Sequence, residues 1–120
     1  MKWMHVGSTA VCSPPPTDTD IDFCVLCEDE GEDDSFFCYL LDNGWKYDKS
    51  YDGANFTSFR KDCFNLIVTS EEKFYNAFVL ATTECKKYNV TNKDDRIDIH
   101  NKWFEYYDID PMKAQHEIPF

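Results

Sequence analysis

The chain has 120 residues, room for one domain and little more. Twelve Lys and Arg against 23 Asp and Glu give a formal net charge of −11, while 42% hydrophobic and 17% aromatic content excludes an acidic disordered tail. That charge argues against tight, direct binding of a nucleic-acid backbone, which runs on Lys and Arg, but leaves open a nucleotide bridged by divalent cations, which change the sign of a carboxylate site.

Lys2 to Val6 reads as a short strand, followed by Gly7-Ser8 and a helical turn over Thr9 to Cys12. Ser13-Pro14-Pro15-Pro16 stops any helix, because each Pro removes a donor and pushes its predecessor to extended geometry. Asp20 to Cys27 reads as a strand. Its acids come first and its second half is apolar on both faces, so it enters a buried sheet from the surface. Glu28 to Asp34 holds six acids in seven positions and reads as a loop with an acidic helix start. The helix is expected over Phe36 to Asp42, with Asn43-Gly44 as its stop.

Trp45 to Tyr47 and Asn55 to Arg60 read as strands joined by a turn-rich loop, and Cys63 to Thr69 as a third. Thr69-Ser70-Glu71-Glu72 has the pattern of a capping box. It opens a helix to about Tyr88, with Phe74, Ala77, Phe78, Ala81 and Cys85 on one face. Thr91 to Asp94 starts a last helix, carrying the Trp103 to Tyr107 aromatic cluster and ended by Pro111. The tail from Met112 to Phe120 has no pattern. One domain is expected over residues 1–111, followed by a tail over 112–120.

No apolar leader follows Met1 and no run approaches the ~20 apolar residues of a membrane helix, so a cytoplasmic protein is expected. Six Cys without a leader are expected to be reduced. Cys24 and Cys27, three apart on a strand, point to opposite faces and cannot converge on one zinc. Asn55-Phe-Thr57 and Asn89-Val-Thr91 match the glycosylation pattern, which has no consequence in an unexported protein.

The chemical signal is Gly7-Ser8, eleven intervening residues, then Asp20-Ile21-Asp22 opening a strand. Two Asp at i and i+2 of a strand share a face, about 6–7 Å apart. So placed, they can share Mg²⁺ and leave coordination positions for phosphate oxygens. Glycine lets backbone approach an anion, while free N–H groups and the Ser8 hydroxyl donate to it. Either motif alone is common in an acidic chain; their order, spacing and context together carry the reading.

Gly7-Ser8 followed by Thr19-Asp20-Ile21-Asp22-Phe23 resembles the signature of the nucleotidyltransferase superfamily, which includes DNA polymerase beta, the minimal nucleotidyltransferases and the CCA-adding enzymes. Asn65-Leu66-Ile67-Val68-Thr69 and the helix after it resemble the strand and helix that carry that superfamily's third carboxylate. The run over about residues 5–100, with Pro14-Pro15-Pro16, Ser58-Phe59-Arg60, Ala81-Thr82 and Lys93-Asp94-Asp95-Arg96-Ile97, is similar to small nucleotidyltransferase-like proteins of phages and some bacteria.

The resemblance implies an α+β fold with a mixed sheet of roughly four to five strands and helices mainly on one face. It implies Gly7 and Ser8 on the β- and γ-phosphates of an NTP, and Asp20 and Asp22 on Mg²⁺ (or Mn²⁺). A hydroxyl of an unknown acceptor, protein or RNA, would attack the α-phosphorus and pyrophosphate would leave. Asn65 stands where the third carboxylate is expected; it can ligate a cation but supplies no charge and takes no proton. Asp62 is a substitute only in a different register. Asp18 is a spare acid, and a slip by two would make Asp18 and Asp20 the metal pair.

Arg60 and Lys61 are either a cationic hand for triphosphate or surface partners of the many acids. Lys93 and Arg96 read as surface partners, and His5, His100 and His116 lie outside any constellation. A second functional class competes. An acidic, catalytically degenerate, phage-encoded fold member would occupy a basic site on a nucleic-acid-binding host protein, such as a defence factor.

Overall fold

The computed structural model describes residues 1–12, 20–51 and 56–109. Strand β1 (Lys2–Val6) leads through Gly7 into α1 (Ser8–Val11), and β2 spans Ile21–Leu26. Helix α2 (Glu32–Asp42) precedes the strands β3 (Lys46–Tyr51), β4 (Phe56–Lys61) and β5 (Phe64–Thr69). Helices α3 (Glu72–Lys87) and α4 (Lys93–Tyr106) follow. The five strands form one mixed sheet in the order β1-β2-β5-β4-β3. Only β2 and β5 run parallel; the other neighbours are antiparallel. The architecture is the expected α+β fold.

Strand alternation sorts the core into two layers. Val6, Cys24, Leu26 and Ile67 face α3 and α4, where Phe74 stacks between Phe56 and Phe104 at ring-centroid distances of 5.5 and 5.7 Å. Val25, Cys27, Phe59 and Val68 face the other way, onto Leu40 of α2. Cys24 and Cys27 thus lie on opposite faces, and all six cysteines are free. Helix α1 packs against α3, β1 and β2, so three of the four helices among the described residues share a face.

Several local expectations shift. Helix α2 begins at Glu32, four residues before the expected Phe36, because Gly31 takes a left-handed φ of 77° and caps it. Glu32, Asp33 and Asp34 fill the first turn, where unpaired N–H groups and the helix dipole favour acids. Asp48 to Tyr51, expected as loop, extend β3. The Thr69/Glu72 capping box does not form. Glu71 is the cap and accepts from Lys73 N–H at 3.4 Å, while Thr69 Oγ1 accepts from Glu71 N–H at 3.0 Å. Asn92 caps α4, accepting from Asp94 and Asp95 N–H groups at 2.9 and 3.2 Å.

Arg96, expected at the surface, is buried and donates to the Thr91 carbonyl and to Cys12 Sγ. His100 is a core residue, edge-on to Phe78. The proline run, Pro111, His116 and the tail over 112–120 lie outside the described residues. Among the described residues no helix is long and apolar enough to cross a membrane.

Candidate functional site

Register brings the candidate residues into one row. Val6 of β1 pairs with Asp22 of β2, Asp22 with Asn65 of β5, and Asn65 with Arg60 of β4. Paired residues share a face, so Asp22, Asn65 and Arg60 all lie on the α1/α3 side, at the end where β2 enters the sheet. Asp20 sits two residues before Asp22 and joins them through an ion pair with Arg60.

Gly7 closes the row from above. Its φ of 77° and ψ of −169° belong to a region essentially reserved for glycine. A Cβ there would lie 2.4 Å from Asp22 Oδ2. The Gly7 backbone therefore lies against the carboxylate, and Ser8, buried, begins α1 beside it. His5 Nε2 lies 2.7 Å from Thr9 Oγ1, tying β1 to α1.

Asp22 is 2% exposed. Its Oδ1 accepts from Asn65 Nδ2 at 3.1 Å. Burial pushes its carboxyl pKa up to about 7, and the charge of Asp20 adds to this, against the opposing pull of the Asn65 hydrogen bond and of Arg60. Asn65 Oδ1 is buried without a hydrogen-bond partner, an arrangement that costs about 1–3 kcal/mol if nothing else satisfies it.

Arg60 bridges two acids: Asp20, and Asp48 through Nε at 3.0 Å. The Asp20 pairing raises the Arg60 pKa further. Asp48 was missed from sequence because it reads as hairpin loop; it sits at a register shift in the β3/β4 ladder, which turns it toward Arg60. Lys61 does not join the row. As the next residue on β4 it faces the α2 side and donates to the Asn43 carbonyl at 2.8 Å, closing the C-terminus of α2. Asp62 occupies the two-residue β4–β5 turn at φ 55°, so it cannot stand in for Asn65. Asp18 lies outside the described residues.

The donor set suits a hard divalent cation in kind: carboxylate oxygens of Asp20 and Asp22 and the unpaired amide oxygen of Asn65. Among the described residues no group of three or more His, Cys, Asp and Glu is placed to hold a metal. Arg60 serves as the cation beside Asp20. Both side chains are about two-fifths exposed, at 44% and 40%, and an ion pair so exposed is worth at most about 1 kcal/mol. A cation bound with phosphate could exchange with it at little cost.

No known protein family matches the chain by sequence, and no curated protein matches it. Among solved structures it is similar to the conserved protein GrpB from Enterococcus faecalis, with a TM-score of 0.52 and 14% identity over 89% of this chain and 82% of that one. What they share is the fold. That fold is α+β, a five-stranded mixed sheet with helices mainly on one face.

Proposed function

We propose that the chain binds a nucleoside triphosphate with Mg²⁺ at the end of β2 and transfers its nucleotidyl group to a hydroxyl acceptor. The observation that carries this reading is the apposition of Gly7 and Asp22, with a Cβ-to-carboxylate space of 2.4 Å that only glycine tolerates. It sets a Gly-Ser turn against a strand-borne acid, the juxtaposition a phosphate-and-metal site needs.

In this reading Asp20, Asp22 and Asn65 Oδ1 hold the cation, which supplies charge against the developing negative charge on phosphorus. Arg60 leaves Asp20 for a phosphate oxygen, where its fork binds bidentately. Gly7 and Ser8 offer backbone and hydroxyl donors to the terminal phosphates. The acceptor oxygen bonds to the α-phosphorus, the bond to the bridging oxygen breaks, pyrophosphate leaves, and the acceptor proton passes to solvent. Asn65 takes no proton, so transfer is slow compared with a site holding three carboxylates.

The test is incubation with α-labelled NTPs and Mg²⁺ or Mn²⁺ in the presence of protein or RNA acceptors, beside Asp20→Ala/Asp22→Ala. Label transferred or NTP retained by wild type and not by the variant supports the reading. Neither transfer nor metal-dependent NTP binding by wild type removes it.

The Asp22–Asn65 hydrogen bond and the Arg60–Asp20 ion pair favour a second reading, in which catalysis has been lost and the acidic body binds a basic protein. Its mark is a partner captured at low salt, released at high salt, and still captured by Asp20→Ala/Asp22→Ala.

A further inference from the structure

The side of the sheet that carries α2 is covered unevenly. Helix α2 lies over Phe59, Val68 and Val25 with Leu40 and Phe37. Toward the β1 edge the same face carries aromatic residues that stay open: Trp3 is 67% exposed and Phe64 38% exposed. They form one strip. Trp3 meets Phe23 edge-on at 5.7 Å between centroids, and Phe23 meets Phe64 at 6.3 Å and His5 at 5.4 Å. The strip is built by the register, which pairs Trp3 with Val25, His5 with Phe23 and Ile21 with Phe64.

One end of the strip is strongly acidic. Beyond Trp3, the Met1 amine lies 3.2 Å from Glu28 and 3.6 Å from Glu32, and Lys2 Nζ lies 3.9 Å from Glu28. The six acids of residues 28–34 outnumber those two cations threefold. Glu32 and Asp33 also sit close to Cys27 on this face, where their charges add to burial in raising its thiol pKa.

A surface tryptophan that is two-thirds exposed, a neighbouring aromatic ledge and a surplus of carboxylates are complementary to guanidinium and ammonium groups carried on an extended segment. Arg stacks on aromatic rings, each contact worth about 0.5–1 kcal/mol at an exposed site. Carboxylates supply the steering and the charge-assisted bonds. The net charge of −11 works against a second copy of the chain settling on the same strip.

We infer that the open aromatic strip Trp3–Phe23–Phe64, with the acidic segment over residues 28–34 at its end, is a docking surface for an arginine- and lysine-rich segment of a partner protein. The inference rests on the second reading above and gives it a location.

The probe is a fluorescently labelled nona-arginine peptide, titrated at physiological salt against wild type, Trp3→Ala/Phe64→Ser, Trp3→Phe and Tyr88→Ser. Tyr88 is equally exposed, at 66%, but lies at the end of α3. The expected result is that Trp3→Ala/Phe64→Ser weakens binding at least about tenfold, the loss of roughly 1.4 kcal/mol. Trp3→Phe should retain most of the affinity and Tyr88→Ser all of it. Thermal melts confirm that each variant is folded. Equal binding by wild type and Trp3→Ala/Phe64→Ser overturns the strip as the surface, while leaving the acidic body as a general binder of basic partners. Sedimentation showing a wild-type dimer that Trp3→Ala/Phe64→Ser dissolves also overturns it, since the occupant is then a second copy.

Discussion

Asn65 and Asp22, 43 residues apart in sequence, sit side by side on the parallel strands β5 and β2, joined by a 3.1 Å hydrogen bond. The amide stands where a second buried carboxylate would otherwise press on the first. It donates to the buried Asp22 carboxylate, and it leaves its own oxygen buried without a partner.

Asn65→Asp tests that relationship. Two buried carboxylates at this distance cannot both ionise, so the variant should be less stable than wild type near pH about 8. If the row holds a divalent cation, millimolar Mg²⁺ should raise the variant's melting temperature by at least about 4 °C, since ligand binding to the native state adds stability. Melting curves with and without Mg²⁺ decide it. An unchanged melting temperature would show that the added carboxylate creates no metal site.

Gly7→Ala should be costly without touching the core. The new Cβ meets Asp22 Oδ2 at 2.4 Å, and the backbone there is strained for any other residue. A loss of about 2–4 kcal/mol is expected in urea denaturation, from the backbone cost and the displaced carboxylate together. Gly31→Ala has a similar φ of 77° with nothing within 4 Å of its Cβ, so it should lose less.

The pH dependence of stability contains two opposed contributions. Asp22 has a folded-state pKa of about 7 against an ordinary 3.8. Between those values the folded chain holds a proton the unfolded chain has released, so this group lowers stability as pH rises. His100, buried, has its pKa pushed down to about 4 from 6.5. Between those values the unfolded chain holds the extra proton, so this group raises stability as pH rises. Across its full range the Asp22 contribution is about 4 kcal/mol and the His100 contribution about 3 kcal/mol, and the two slopes largely cancel between pH 4 and 6.5. Asp22→Asn should unmask a stability that climbs with pH in that window, and His100→Gln one that falls. Denaturant midpoints at several pH values, read as differences from wild type, check both signs.

Phe74→Ala should be the most damaging single core change. The ring is fully buried and stacks on Phe56 and Phe104. A loss of about 3–5 kcal/mol is expected. By comparison, Asn92→Ala removes the cap of α4 and should cost about 1 kcal/mol. Side-by-side denaturation curves rank the two.

Much of the fold was legible because its signals are local. The alternation of β2, the helical face of Phe74, Ala77, Phe78, Ala81 and Cys85, and the Asn43-Gly44 stop each follow from periods and turn chemistry within a dozen residues. The capping box at Thr69 misled because a local pattern competes with its neighbours. Once Thr69 is the last residue of β5, its hydroxyl is committed to Glu71 N–H and the cap passes to Glu71. The acidic start of α2 was legible, but its first residue was expected at Phe36; Gly31, at a left-handed φ of 77°, sets it at Glu32, so the three acids form the first turn.

By itself the sequence determined that Asp22 lies at the start of a strand with Asp20 two residues before it, and that a Gly-Ser turn lies upstream. The tertiary structure decided what those acids meet. Pairing β2 with β5 in parallel needs a crossover through α2 and the β3/β4 hairpin, and no local period encodes which residue then stands opposite Asp22. A slip of one residue would have presented Phe64 in place of Asn65 and Lys61 in place of Arg60, because side chains alternate across a sheet. Only the folded register, fixed by burying Ile67 on one face and Val68 on the other, puts Asn65 and Arg60 in the row and turns Lys61 away to α2.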